Sequence, residues 1–190
     1  MHLLFDLDGT LTDSREGIVR SIQYALDAMG APRPPDETMT RYLGPPLPDS
    51  FATLLGTSDA SAIEQAILHY RERFERVGMF ENAVYPGIDA ALDALATAGH
   101  TLHVVTAKPH VYARRILEHF GLAPRFASIN GPELGQRGYT KGTLIREIDA
   151  RDFKGGRARL VYDLTDTLTA DITFQHSLDK GTVAFGASNN

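Results

Sequence analysis

The amino terminus of the chain constrains its fold more strongly than any other stretch. The apolar run at residues 3–5 is long enough for a buried strand, and Asp6 and Asp8 follow it directly. An apolar strand that presents carboxylates at its carboxyl end is typical of the edge where open parallel sheets bind ligands. Gly9 allows the chain to turn sharply just beyond the carboxylates.

Two carboxylates held close together repel each other unless a cation or a shared proton relieves the repulsion. Oxygen ligands at the end of a strand favour a hard ion, so we expect Mg2+ at Asp6 and Asp8. An Asp-Gly pair also occurs in ordinary turns, and that interpretation stands for the dipeptide alone.

The longer string DLDGTLTDS, from Asp6 to Ser14, resembles the first motif of the haloacid dehalogenase (HAD) superfamily of phosphatases. The resemblance implies that Asp6 is the nucleophile and forms an aspartyl-phosphate, with Asp8 as general acid and then general base. It also places Gly9 in the phosphate-binding loop. Asp8 argues against the dehalogenases of the superfamily, which lack the second acid because a departing halide needs no proton.

Composition limits the alternatives. A chain of 190 residues can form one good core, or a core with a small accessory domain. The net charge of −5 gives no electrostatic footprint for nucleic acid or an anionic membrane, and the lack of cysteine excludes disulfides and thiolate metal sites. No apolar run approaches the length of a membrane span. We therefore expect a cytoplasmic protein. We also expect a monomer or weak homodimer, and the resemblance to the HAD superfamily implies that its partner is a small phosphorylated metabolite.

About seventy residues, 14–82, separate the first strand from the next strand and helix pattern, and their periodicity is almost wholly helical. We expect a first helix capped by Ser14, an irregular stretch over 43–48, and a second long helix that opens at Ser58-Asp59 and continues its apolar face to Val77. A crossover usually needs far fewer residues, which predicts a separate helical domain. In the HAD family this is the position of the C1 cap of subfamily IA.

The pattern after the insertion predicts an α/β core. We expect Pro86 at the first position of a helix, a strand over 101–105, a helix over 109–120 and a short strand at 128–129. This alternation is typical of a parallel sheet. The resemblance implies an HAD-like, doubly wound (Rossmann-type) parallel core at 1–13 and 83–190, with a helical C1 cap at 14–82.

Two further motifs resemble those of the family. VVTAKP resembles the second motif and makes Thr106 the phosphate-binding residue, assisted by the backbone N–H groups that follow, from Ala107 onward. Lys108 reaches the substrate or is solvated, and the sequence favours neither. YTKGTLI resembles the third motif, whose lysine, here Lys141, neutralises the nucleophile and the phosphoryl group.

The fourth motif departs from the family pattern of an apolar strand, Gly-Asp and a second acid. In RLVYDLTDTLTAD we assign Asp166 as a ligand of Mg2+ and Asp171 as an acid that binds the ion through water or supports its ligands, with Thr165 in the place of the glycine. A register that starts at Asp163 finds no acid at the second position. We expect a strand over 159–164, a helix over 170–178 and a last strand over 182–185.

The resemblance implies an Mg2+-dependent phosphatase acting on a small phosphomonoester such as phosphoglycolate. Stretches such as RYLGPPLPDSF look like the phosphoglycolate-phosphatase-like branch. Alternatives are a 5'-nucleotidase, a phospho-ligand-binding protein with impaired catalysis because of the altered fourth motif, and a phosphomutase. We expect the rigid stretch 43–46, with Gly44 and the neighbouring Arg41, to contact the substrate and select it.

Overall fold

A computed structural model of the chain describes residues 2–136 and 143–144, together with the backbone of residues 160–165, 168–172 and 186–187. The chain divides into two compact units. One unit comprises Met1–Asp13 and Val84–Asn190, and the other comprises Ser14–Ala83.

Within the residues that the structure describes, eight strands and five α-helices have defined bounds. The strands are β1 (His2–Phe5), β2 (Thr12–Asp13), β3 (Ala83–Val84), β4 (Thr101–Val105), β5 (Ser128–Asn130), β6 (Leu160–Thr165), β7 (Leu168–Ile172) and β8 (Gly186–Ala187). The helices are α1 (Arg15–Ala28), α2 (Leu47–Leu55), α3 (Ala60–Arg76), α4 (Ile88–Thr97) and α5 (His110–His119). Short 3-10 helices cover Asp36–Tyr42, Gly78–Phe80 and Ala123–Arg125.

The first unit is built on a parallel sheet with the strand order β1-β4-β5. Phe5 pairs with Val104, and Val105 pairs with Asn130, so the carboxyl ends of the three strands lie at one edge. Leu3, Leu4 and most of β4 are buried, as expected for a parallel sheet. The predicted parallel α/β core is confirmed for these strands.

The helices of this unit follow their sequence patterns closely. α5 covers His110–His119, one residue shorter at each end than the predicted helix over 109–120, and α4 is followed by Gly99 in the left-handed region. The predicted position of Pro86 is wrong, because α4 begins at Ile88 with Gly87 at its N-cap in a left-handed conformation. Gly87 forms the turn before the helix, so Pro86 lies outside the helix.

The second unit is helical. α1 packs on α3, and α3 buries Ile67, Tyr70 and Phe74, with the Tyr70 and Phe74 rings stacked at 5.4 Å. Asp59 caps α3 by accepting a hydrogen bond from the Ser61 N–H at 3.0 Å, as its position predicted. α3 ends at Arg76, and Val77, expected on its apolar face, lies beyond it and is 47% exposed.

Two other expectations for the second unit are wrong. Ser14 occupies the N-cap of α1 but makes no capping hydrogen bond through its side chain, because its backbone is not extended there. Residues 47–48 are helical, since Pro46, Leu47 and Pro48 start α2 in the first turn, where proline costs no hydrogen bond.

The carboxyl-terminal strands form a sheet of their own, with the order β6-β7-β8 and antiparallel pairing. The sequence predicted a helix over 170–178, which is wrong for residues 170–172 because they belong to β7. The short connection between β6 and β7 permits an antiparallel pair and no crossover helix. The predicted strand over 182–185 lies outside the described residues.

None of the helices within the described residues is both long and apolar enough to cross a membrane.

Candidate active site

The chemistry predicted from the sequence gathers at the carboxyl edge of the parallel sheet. Asp6 follows β1 directly, Thr106 follows β4 directly, and the two strands are neighbours with parallel register. Both residues are buried, since Asp6 is 7% exposed and Thr106 is 1% exposed. The sheet therefore places a carboxylate and a hydroxyl at the ends of adjacent strands, which is where such sheets bind ligands.

A tight turn positions the two carboxylates. The Leu7 carbonyl accepts hydrogen bonds from the N–H groups of Leu11 and Thr12 at 2.9 and 3.1 Å, which folds the chain back immediately after the strand. Gly9 has a φ of +74°, a value that favours glycine, and its N–H donates to the Thr12 carbonyl at 2.8 Å. The Leu7 N–H donates to Asp6 Oδ1 at 2.9 Å, which fixes the orientation of the Asp6 carboxylate.

Asp8 forms an ion pair with Lys108. Asp8 Oδ2 lies 3.1 Å from Lys108 Nζ, and the Lys108 side chain is only 7% exposed. Asp8 Oδ1 is buried and has no hydrogen-bond partner among the described residues, and the same holds for Thr10 Oγ1. The sequence left Lys108 open between the substrate and the solvent, and the structure adds Asp8 as its partner.

The Thr106 hydroxyl is held by the backbone of its own loop. The Lys108 N–H donates to Thr106 Oγ1 at 3.2 Å, and the Thr106 N–H donates to the Asn130 carbonyl at 3.0 Å. The sequence predicts that this N–H binds a phosphoryl group, whereas in the structure it donates to the Thr106 hydroxyl oxygen. Because that oxygen accepts one hydrogen bond, its own proton can be donated elsewhere. Ala107 is exposed at the tip of this loop.

Residues after β5 hold this loop from the other side, and the sequence analysis missed them. A Cβ at Gly131 would lie 2.3 Å from the Lys108 carbonyl oxygen, so only glycine fits there. The His110 N–H donates to the Pro132 carbonyl at 3.0 Å. The signal was the Gly-Pro pair directly after a strand, which marks a close backbone approach.

A cavity of about 350 Å³ opens beside this loop, in the size range of small-ligand pockets. Its lining comes from the end of β5, the start of α5 and the segment after β5. The lining residues are His110, Ile129, Asn130, Gly131, Glu133, Gln136 and Leu144.

The donor atoms in the described part of the site are those that a hard cation prefers. Asp6 and Asp8 offer only oxygen donors, and Asp8 Oδ1 is a buried oxygen without a partner in the described part of the chain. Among the described side chains, no group of three or more His, Asp or Glu residues lies close enough to hold a metal ion. Asp6 and Asp8 would therefore supply part of a magnesium site, and any further protein ligands come from elsewhere.

Several predicted site residues are not placed by the structure. Lys141 and Asp166 lie outside the described residues, and only the backbone of Asp171 is described, in β7 opposite Val161. Their roles stay predictions. Gly44 belongs to the second unit and has a φ of +109°, and its role toward the substrate also stays a prediction.

Comparison with known proteins identifies the family of the chain. The family model described as haloacid dehalogenase-like hydrolase matches residues 3–137. The chain belongs to this family. The match covers Asp6, Asp8 and Thr106 and ends before Lys141 and the aspartates of the fourth motif.

Relatives and solved structures extend the comparison. The chain is 47% identical over 147 residues to a 5'-nucleotidase of Pseudomonas aeruginosa, covering 77% of this chain and 66% of the relative. It is 37% identical over 134 residues to a phosphoglycolate phosphatase of Agrobacterium fabrum, covering 66% of this chain and 56% of the relative. A crystal structure of a predicted phosphatase from Clostridium acetobutylicum matches with a TM-score of 0.71 and 42% identity, covering 79% and 69% of the two chains.

A relative with another activity in its name also matches. The tyrosine-protein kinase PtkA of Mycobacterium tuberculosis is 42% identical over 148 residues, covering 77% of this chain and 50% of the relative. The chain thus spans about half to two thirds of the length of the curated relatives it matches. The relatives share the family and differ in the acceptor or substrate that their names state.

Proposed function

We propose that the chain is an Mg2+-dependent phosphomonoesterase that hydrolyses a small phosphorylated metabolite through an aspartyl-phosphate on Asp6. The observation that carries the proposal is the placement of Asp6 and Thr106 at the ends of adjacent parallel strands, with Asp8 two residues beyond the nucleophile. Phosphoryl transfer depends more on charge neutralisation and alignment than on covalent machinery, and these groups supply the alignment.

In the proposed reaction, an oxygen of Asp6 forms a bond to phosphorus while the bond from phosphorus to the leaving oxygen breaks. Asp8 gives its proton to the leaving oxygen. Water then attacks the phosphorus, the bond between phosphorus and Asp6 breaks, and Asp8 takes the proton of the water. The Thr106 hydroxyl donates to a phosphoryl oxygen. Asp6 would hold a magnesium ion during this transfer, because Asp8 carries the proton, and the ion would neutralise negative charge on the phosphoryl group.

The substrate class is the finer part of the proposal. We place nucleoside 5'-monophosphates first and phosphoglycolate second, because the 47% identical relative is named a 5'-nucleotidase and the 37% identical one a phosphoglycolate phosphatase. This order reverses the one suggested by the sequence motifs. We further propose that Arg41 and Gly44 of the second unit select among these substrates, with Arg41→Ala expected to change relative kcat/KM values.

The test is release of inorganic phosphate from p-nitrophenyl phosphate, nucleoside 5'-monophosphates and phosphoglycolate, with and without Mg2+. Asp6→Asn removes the nucleophile and is expected to lower turnover by on the order of a thousandfold or more. The matched control is Asp93→Asn, which changes a carboxylate of the same unit that is ion-paired with Arg125. The control is expected to keep full activity.

The alternatives predict different results. Asp6→Asn with undiminished turnover would contradict the nucleophile assignment. Phosphate binding without turnover and without a response to Mg2+ would favour a phospho-ligand-binding protein. Transfer of the phosphoryl group to an organic or protein acceptor in place of water would indicate a mutase or a kinase.

A further inference from the structure

The ion pair between Lys108 and Asp8 is the contact in this site that neither the motifs nor the relatives' names explain. Lys108 Nζ lies 3.1 Å from Asp8 Oδ2, and the lysine side chain is only 7% exposed. An ammonium withdrawn from solvent to this extent is stable only beside an anionic partner. The ion pair is therefore an integral part of the site and not an incidental surface contact.

The backbone of Lys108 is fixed as firmly as its side chain. Its N–H donates to Thr106 Oγ1 at 3.2 Å, and its carbonyl lies in the close approach to Gly131 that excludes any Cβ there. These contacts tie the position of Nζ to the end of β4 and the segment after β5. Lys108 thus connects the loop that carries Thr106 to the carboxylate of Asp8.

The two oxygens of Asp8 have different surroundings. Oδ2 receives the ammonium, whereas Oδ1 is buried without a hydrogen-bond partner among the described residues. Leaving a carboxylate oxygen buried and unpaired is unfavourable, so the contact at Oδ2 must hold the side chain in this orientation. Lys108 also lies where its charge can balance the charge of Asp8 after the proton has left.

We propose that Lys108 is a positioning residue that acts through Asp8 in the proton transfer to the leaving group. The inference rests on the proposed phosphomonoesterase function. A lysine that binds the transferred phosphoryl group directly would matter equally for every phosphomonoester, because all of them share that group. A lysine that acts through Asp8 matters most where the leaving oxygen needs a proton.

The experiment compares two esters that differ in the leaving group, p-nitrophenyl phosphate and benzyl phosphate, by kcat/KM in the presence of Mg2+. The p-nitrophenolate leaves readily without a proton, whereas the benzyl alkoxide does not. Lys108→Met is expected to lower kcat/KM by about tenfold or more for benzyl phosphate and by less than about threefold for p-nitrophenyl phosphate. Lys108→Arg, which keeps the cation, is expected to recover most of the loss.

A double-mutant cycle with Asp8→Asn adds a readout that a structural role would not give. If Lys108 acts through Asp8, the double variant Asp8→Asn/Lys108→Met has the kcat/KM of Asp8→Asn alone. The double variant leaves no unpaired charge from this pair, so it serves even where Lys108→Met fails to fold. Arg125→Met removes another ion-paired cation of the same unit and is expected to leave both esters unaffected.

Equal losses on the two esters, or a further loss in the double variant beyond that of Asp8→Asn, would overturn the inference and assign Lys108 to the phosphoryl group. Both of these results leave the phosphatase itself intact. A wild-type protein that hydrolyses neither these esters nor the nucleoside 5'-monophosphates and phosphoglycolate would contradict the proposed function, and the role of Lys108 with it.

Discussion

Two carboxylates of this protein, Glu81 in the helical unit and Asp8 in the α/β unit, each accept a buried or half-buried cation, yet their surroundings differ. Glu81 accepts hydrogen bonds from Arg73 at 2.6 and 2.9 Å and from Arg20 at 2.9 Å, so both of its oxygens are satisfied. Asp8 has one oxygen on Lys108 and one buried oxygen without a partner in the described part of the chain.

The difference separates a structural site from a reactive one. A satisfied carboxylate holds its neighbours in place, and the network around Glu81 joins α1, α3 and the turn after α3. An unsatisfied buried oxygen costs free energy and persists where a ligand, metal or reacting group uses it. Activity should therefore be sensitive at Asp8, and stability at Glu81.

The largest effect is expected at Asp8. Asp8→Asn removes the proposed general acid and is expected to lower kcat/KM for an alkyl phosphate by about 10²- to 10⁴-fold. Steady-state kinetics and thermal melting of the same sample measure the two effects side by side. A loss of stability with unchanged kcat/KM would show that Asp8, like Glu81, has a structural role only.

At Glu81 the expected effect is on stability. Glu81→Gln keeps the shape of the side chain but leaves Arg73, which is 20% exposed, without its charge partner, at a cost of about 1–3 kcal/mol in the free energy of unfolding. Urea denaturation measures this cost, and phosphatase activity below the transition is expected to be unchanged. Glu16→Gln is the control, since its ion pair with Arg20 is exposed and contributes little.

The Glu81→Gln variant is also expected to differ from wild type in the pH dependence of its stability. The hydrogen bond from Arg73 lowers the pKa of Glu81 below its usual value, against the opposing effect of burial. The stabilisation is therefore complete above the pKa of the unfolded chain and is lost as the pH falls through the lowered, folded pKa. Wild-type protein should lose more stability on acidification than Glu81→Gln, and parallel curves would contradict the assignment.

The smallest effect is expected at a third polar cluster, around His103. On the parallel sheet, His103 lies 2.9 Å from His2 and 2.8 Å from Ser128 Oγ, and burial and the neighbouring His2 ring lower the pKa of His103. A histidine with a lowered pKa stabilises the fold above its unfolded pKa, and the contribution is lost as the pH falls below that value. Melting temperatures between neutral and mildly acidic pH should fall less in His103→Gln than in wild type.

The regular part of the fold followed from local patterns. The apolar strand before Asp6, the strand before Thr106 and the start of α3 at Asp59 all depend on neighbouring residues, and the sequence predicts each of them. The helical start at Pro46–Pro48 was missed because proline was treated as a helix breaker, although it is well tolerated in the first turn. β7 was mistaken for a helix, because its pairing with β6 and β8 depends on residues outside the segment.

The part of the site that depends on single strands could be predicted from the sequence. The positions of Asp6 and Thr106 could be inferred because parallel strands end at one edge of the sheet. The partnership of Lys108 with Asp8 and the close approach of Gly131 could not, since each joins segments about a hundred or about twenty residues apart. Such contacts are set by the register of the sheet, which one sequence does not specify.

Detection of a phosphoryl group on Asp6 during turnover tests the aspartyl-phosphate mechanism. Protein mixed with substrate and Mg2+ is quenched in acid within the first turnovers, and its peptides are analysed by mass spectrometry. We predict that the peptide containing Asp6 carries a phosphoryl group in wild-type protein and none in Asp6→Asn. A phosphoryl group on another residue, or steady turnover with an unmodified Asp6 peptide at every quench time, would contradict the account.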